Sequence, residues 1–159
     1  MKRTKPVRRS DPDEELPGEA SLLRYIESSG LVAAILERDA EALAQVREVG
    51  QHVTSALTFA EVARALIRAR ADDRITLLEE RAAVRAFQQF ERRCAVVAVS
   101  PAVLTRAGRP FPIEPIRTLD AIHLATIELM GETPQLVTVV TRDDRVARNA
   151  RSLGYHVVP

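Results

Sequence analysis

Four acidic residues stand where runs of strand-favouring residues give way to helical ones: Glu27 in RYIESSGLV, Glu61 in TSALTFAEV, Asp120 in RTLDAIHLA and Asp143 in VVTRDDRVA. In an α/β sheet such junctions lie along one edge, so carboxylates far apart in the chain can meet in one pocket. Gathering four negative charges is unfavourable unless a divalent cation neutralises them. Mg²⁺ and Mn²⁺ suit hard oxygen ligands and bind through few direct carboxylates plus substrate phosphate. The chemistry this predicts is phosphodiester hydrolysis, with a water activated by the cation attacking phosphorus in line. No His or Cys nucleophile is required. Ser29 and Thr141, each two residues from an acid, are placed to hold a metal water or a phosphate. Arg117 and Arg142 flank Asp120 and Asp143 and offer phosphate contacts, and Arg145 and Arg148 line the helix that follows.

Each of these residues also has a structural reading. Thr58-x-x-Glu61 matches a capping box, in which Glu61 only closes the first turn. Asp120 lies in the first turn after Thr118, the expected N-cap, where a carboxylate gains about 0.3–1 kcal/mol from the helix dipole. Asp143 or Asp144 can cap the next helix; Asp143, which directly follows the strand, is the preferred fourth acid. Glu27 can face solvent at a strand end, and Ser29 can be a plain helix cap. His123, one turn after Asp120, can be a packed helix histidine or can orient Asp120. His52 and His156 carry no motif. What favours the chemical reading is Asp120, which opens a helix that is otherwise nearly all apolar. Its carboxylate therefore lies close to the core, where a charge needs a partner or an ion.

The elements that must position these groups alternate. LLRYIE reads as a strand, followed by a helix beginning near Ser28 or Ser29. Asp39 is placed to cap a second helix running through Val49, with Gly50 as its stop. HVTSA reads as a strand and LTFAEVARALIRARAD as a helix. A longer helix from Thr76 to Arg93 sets Leu78, Ala82, Ala86 or Phe87, and Phe90 on one stripe. CAVVAVS is a continuous apolar run, as expected of a strand buried on both faces of a parallel sheet. Pro101 fits the first helical position after Ser100, and RPFPIEPIR must be an extended loop. TLDAIHLATIELMG is a deeply buried helix, QLVTVVT a strand, DDRVARNARSLG a helix and YHVV a last strand. The alternation predicts a three-layer α/β/α sandwich around a mostly parallel sheet of four or five strands. Residues 22–159 form this domain, and residues 1–21, with a basic then an acidic block and no periodicity, read as a flexible charged tail.

Composition narrows the classes. The 159 residues suit one domain with an appendage, and a hydrophobic fraction of 46% with 4% aromatics requires a core of Ala, Val, Leu and Ile. A net charge of +1 excludes a global electrostatic drive towards nucleic acid, so any basic surface is local. The single cysteine, Cys94, excludes an internal disulfide and a cysteine zinc site and reads as buried filler. No apolar run approaches the roughly 20 residues that span a bilayer, so a cytoplasmic soluble protein is expected. A phospho-receiver domain, which also gathers acids at strand ends, needs a lysine near its end. The only lysines are Lys2 and Lys5.

At these residues the sequence resembles the PIN domain family, especially the VapC-type toxins of bacterial toxin–antitoxin pairs. The resemblance covers residues 22–159. RPFPIEPIRTLDAIHLATIEL followed by LVTVVTRDDRVARNARSLGYHVV is similar to the family's back half. TSALTFAEVARAL resembles the segment carrying its second acid, and YIESSGLVAAILER its opening strand and helix. The resemblance implies a PIN-like fold, a metal site on Glu27, Glu61, Asp120 and Asp143 with Ser29 as the motif serine, and Mg²⁺ or Mn²⁺ as cofactor. It further implies cleavage of RNA, a homodimer and a partner antitoxin docked in a hydrophobic groove near the early helices. The family's first acid is normally Asp, and here it is Glu27. That departure carries an alternative: a catalytically weakened PIN fold that binds RNA or antitoxin.

Overall fold

The computed structural model describes residues 23–159, so the expected tail at residues 1–21 lies outside them. Within the described part, strands β1 (Leu23–Ile26), β2 (Gln51–Ser55), β3 (Cys94–Val97), β4 (Val137–Val140) and β5 (His156–Val158) form one sheet in the order β3-β2-β1-β4-β5. Every pairing is parallel. Helices α1 (Ser28–Ile35), α2 (Ala40–Arg47), α3 (Leu57–Ala71) and α4 (Leu77–Glu91) precede β3. They are followed by α5 (Pro101–Ala107), α6 (Thr118–Leu129) and α7 (Asp144–Ser152). Strand alternation divides the core into two layers. Tyr25, Val53, Val137 and Val139 point to the layer formed with Val103 of α5, Leu124 and Ile127 of α6, and Val146 and Ala150 of α7. Ile26 and Val140 point the other way, to Leu31, Val62, Leu66, Ala83 and Phe90. The sheet is thus a five-stranded, three-layer α/β/α sandwich, as its alternating sequence predicts. No helix among the described residues is long and apolar enough to cross a membrane.

The chain order places β1 at the centre, with β2 on one side and β4 on the other. This is where an open parallel sheet leaves a crevice beyond its strand ends. The ends stay in step: Glu27 N donates to Val140 O (3.0 Å) and Thr141 N to Val158 O (3.1 Å). Close packing of α1 on β4 depends on Gly30, since a Cβ there would lie 3.2 Å from both Val140 O and Val140 Cγ1. Many local signals act as written in the sequence. Asp39 accepts from Ala42 N (2.8 Å), Ser100 caps α5 with Pro101 at its start, and Thr76 with Glu79 closes a capping box on α4. Helix α6 is buried from Ala121 through Ile127.

Several expectations are corrected. The apolar run at Cys94 is not a central strand: β3 is the sheet edge, and Ala95 and Val96 are exposed. Apolar residues suit a pleated edge as well as a centre, and composition alone does not order strands. Cys94 is only partly buried, yet burial still pushes its thiol up to about 12, so it is not a reactive thiolate. Thr58 forms no capping box with Glu61. It is buried, and its hydroxyl meets Thr54 Oγ1 at 2.8 Å while Thr54 donates to Ile26 O (2.6 Å). The first turn of α3 instead draws on Ser55, whose Oγ accepts from Leu57 N (3.2 Å). The N-cap of α6 is Arg117 rather than Thr118, which is the first helical residue. Helix α2 stops at Arg47, short of Val49. On α4 the packed stripe runs through Ala83, Ala86, Phe87 and Phe90, leaving Ala82 exposed and Leu78 73% exposed.

Candidate active site

The functional residues collect beyond the C-terminal ends of β1, β2 and β4. Glu27 leaves β1 as the N-cap of α1, 4% exposed. Its Oε1 accepts from the Ser28 hydroxyl (2.6 Å). Its Oε2 accepts from Ser29 N (3.0 Å), from the Thr141 hydroxyl (2.8 Å) and, in a short contact, from the Ser29 hydroxyl. Ser29 Oγ in turn accepts from Arg142 N (2.8 Å), and Thr141 Oγ1 from Asp143 N (3.1 Å). Two hydroxyl residues from distant segments therefore lock the β1–α1 and β4–α7 junctions around one carboxylate. A buried anion with this many donors has most of its desolvation cost offset.

Glu61 projects from α3 to His123 on α6, with Oε2 to Nε2 at 2.7 Å. The other ring nitrogen, Nδ1, lies 2.8 Å from the Tyr25 hydroxyl, and Nε2 is 3.6 Å from Glu27 Oε1. Donor atoms of Glu27, Glu61 and His123 all fall within 4.8 Å of one another. Burial pulls the His123 pKa down, but the Glu61 hydrogen bond and the charges of Glu27, Glu61 and Asp120 outweigh it, leaving the ring above its ordinary value. Tyr25, fully buried, is pushed well up by burial and then by Glu27 and Glu61. His123 thus pairs with Glu61, not with Asp120.

Asp120, in the first turn of α6, completes the acidic wall. Burial raises its carboxyl above the usual range, and the charges of Asp143 and Glu27 raise it further, against the opposing pull of Arg117 and Arg145. Its Oδ2 is buried with no hydrogen-bond partner among the described residues. Asp143 is the N-cap of α7, Oδ1 accepting from Arg145 N (2.8 Å) and Val146 N (3.1 Å). Asp144 is the first residue of α7. An orphaned buried oxygen, repelled by two neighbouring carboxylates within an oxygen-rich donor set, fits a divalent cation.

The arginines divide differently from the expectation. Arg142 turns away to Asp39 (2.5 Å) and Glu41 (3.5 Å) of the α2 region. Arg117 is exposed at the start of α6. A groove beside the acids is lined by Ser28, Ser29, Val32, Leu57, Glu61, Arg64, Arg68 and Leu119. Neither Arg64 nor Arg68 forms a salt bridge among the described residues. Spacing held this signal, since Glu61, Arg64 and Arg68 share one helical face at i, i+3 and i+7. The Glu61–His123–Tyr25 chain was also half-visible, because a histidine in an apolar helix needs a partner.

Comparison with known proteins agrees with this architecture. The PIN domain family model matches residues 24–152. Ribonuclease VapC46 of Mycobacterium tuberculosis (strain ATCC 25618 / H37Rv) is 37% identical over 136 residues, covering 84% of this chain and 95% of the relative. Ribonuclease VapC35 of Mycobacterium tuberculosis (strain CDC 1551 / Oshkosh) is 33% identical over 138 residues, covering 84% and 94%. The crystal structure of VapBC2 from Rickettsia felis bound to a DNA fragment from their promoter superposes with a TM-score of 0.59 at 12% identity. It covers 86% of this chain and 97% of that one, a likeness of fold. With its parallel sheet, its acids at the strand ends and these relatives over most of its length, the chain belongs to the PIN domain family, among the VapC-type proteins.

Proposed function

We propose that this chain is a metal-dependent endoribonuclease, the toxin of a type II toxin–antitoxin pair. The observation that carries the reading is the acidic pocket, where Glu27, Glu61 and His123 share one centre and Asp120 senses Asp143 and Glu27. Likeness to two ribonucleases over most of their length supports the same activity here. Glu27, Glu61, Asp120 and Asp143 would hold Mg²⁺ or Mn²⁺. When bound, the cation supplies positive charge to the scissile phosphate and lowers the pKa of a water. The chain's own residues do the rest. Thr141 and Ser29 hold Glu27 in place, and the α7 N-terminus holds Asp143.

RNA is the substrate in this reading, gripped by Arg64 and Arg68 along the groove that Glu61 also lines. Arg117, at the start of α6, is a further phosphate contact. An antitoxin partner is supported by the likeness to VapBC2. Its docking surface would be the groove between α1, α2 and α4, lined by Ile35, Leu43, Val46 and Phe90 together with the polar side chains of Arg47, His52, Gln89 and Arg93. A homodimer is part of the same proposal. The weakened-module alternative is not favoured, because the Glu27 carboxylate still sits in the shared centre. The test is cleavage of a structured RNA by purified protein with Mn²⁺, with chelator and with Asp120→Asn. Cleavage that needs Mn²⁺ and falls at least a hundredfold in the variant is expected. Cutting that persists in chelator, or survives Asp120→Asn, refutes the proposal.

A further inference from the structure

We propose that His123 is a positioning residue for Glu61: its Nε2 proton aims that carboxylate at the pocket, and Tyr25 anchors the ring from its other nitrogen. The assignment rests on the metal-site reading of the acids and adds residues that reading does not require. Glu61 lies on a helix face bordering an open groove, where a long side chain would sample several rotamers. It is instead bonded at 2.7 Å to a ring that is 1% exposed. That ring cannot turn freely, because its far nitrogen meets the Tyr25 hydroxyl at 2.8 Å and its walls are the packed core of α6.

The proton on Nε2 follows from its partner. An ionised carboxylate offers only lone pairs, so the 2.7 Å contact with Glu61 places a proton on Nε2, while Nδ1 is held by the Tyr25 hydroxyl, which can donate or accept. The opposite tautomer would aim a lone pair at Glu61, and at Glu27 Oε1 3.6 Å away, with no proton between. Tyr25 belongs to the central strand β1 and Glu61 to α3, on the other side of the sheet from α6. His123 therefore transmits the fixed geometry of the sheet to a ligand on a groove-lining helix, as outer-shell partners of metal sites do.

The experiment uses the full chain, with ¹⁵N-histidine NMR of the metal-free protein and calorimetric Mn²⁺ titration of native protein and variants. The native spectrum should show His123 protonated and hydrogen-bonded at Nε2. Tyr25→Phe should weaken Mn²⁺ binding about tenfold, yet have no further effect in a Glu61→Gln background. His123→Gln, whose amide can still donate, should keep most of the affinity that His123→Leu loses. An Nε2 without a proton, additive losses in the two backgrounds, or variants binding as tightly as the native chain would overturn the assignment alone. No Mn²⁺ uptake by the native chain would overturn the metal reading and this assignment together. If the His123 variants do not fold, the Tyr25 and Glu61 cycle and the native spectrum decide.

Discussion

Glu27 stands where the resemblance leads one to expect Asp, and its surroundings explain how the longer acid is accommodated. Its two oxygens take donors from Ser28, Ser29 and Thr141. That shell is fitted to a glutamate, so Glu27→Asp withdraws the carboxylate by one C–C bond. A displacement of about 1 Å can cost around a hundredfold in rate, and a fall of that order in RNA cleavage is expected. A gain would instead mark a weakened enzyme. Asp120 makes a second prediction through stability. Its carboxyl is raised chiefly by burial and then by Asp143 and Glu27. A group that holds its proton more tightly folded than unfolded stabilises at low pH, and that contribution is lost as pH rises past the ordinary carboxylate range. The metal-free Asp120→Asn protein should therefore melt higher than the native chain at neutral pH and lose this pH dependence. Melting curves with and without Mn²⁺ check it: the ion should stabilise the native chain more than the variant. At this scale the sequence revealed the acid types and their junctions. It did not reveal that Glu61 answers to His123, because the partner lies 62 residues away on another helix.

Among the elements, the stretch between α5 and α6 sets where Asp120 enters. Sequence marks it as extended through its prolines, but what fastens it is Asn149 of α7, 1% exposed. Its Oδ1 accepts from Ile113 N (2.9 Å) and its Nδ2 donates to Ile113 O (3.0 Å) and Arg145 O (3.1 Å). Asn149→Ala strands a backbone pair and should cost about 2–3 kcal/mol, a drop of roughly 5–10 °C in melting temperature for a domain of this size. An unchanged melting curve would show the clamp to be idle. Caps were readable where a side chain answers its own backbone, as Asp39, Thr76 and Ser100 do. Thr58 failed because its hydroxyl turns inward to the buried Thr54 hydroxyl of β2, which outcompetes a local box. Position in the sheet failed for β3 because strand order is a non-local property that an apolar tetrapeptide does not encode.

The whole molecule is nearly neutral, so its grip on a polyanion must come from a local track. Arg64 and Arg68 border the groove at Glu61, whereas Arg142 is paired to Asp39 and Glu41. Each phosphate contact to a single strand steepens the log–log salt dependence of binding by about 0.7. Arg64→Ala and Arg68→Ala should each weaken RNA binding and flatten the slope by about that amount, while Arg142→Ala changes it little. Equal slopes in all three variants would remove the track. The α/β/α architecture was legible at this scale because buried parallel strands and amphipathic helices alternate with distinct periods. Which arginines stay free was not, since ion pairing depends on how helices sit across the sheet edge. Distant carboxylates closing on one cation would make this pocket a catalytic centre, and an anomalous difference map from crystals soaked in Mn²⁺ tests that directly. A peak bounded by Glu27, Glu61, Asp120 and Asp143 is predicted; an empty pocket, or manganese bound only elsewhere, would contradict it.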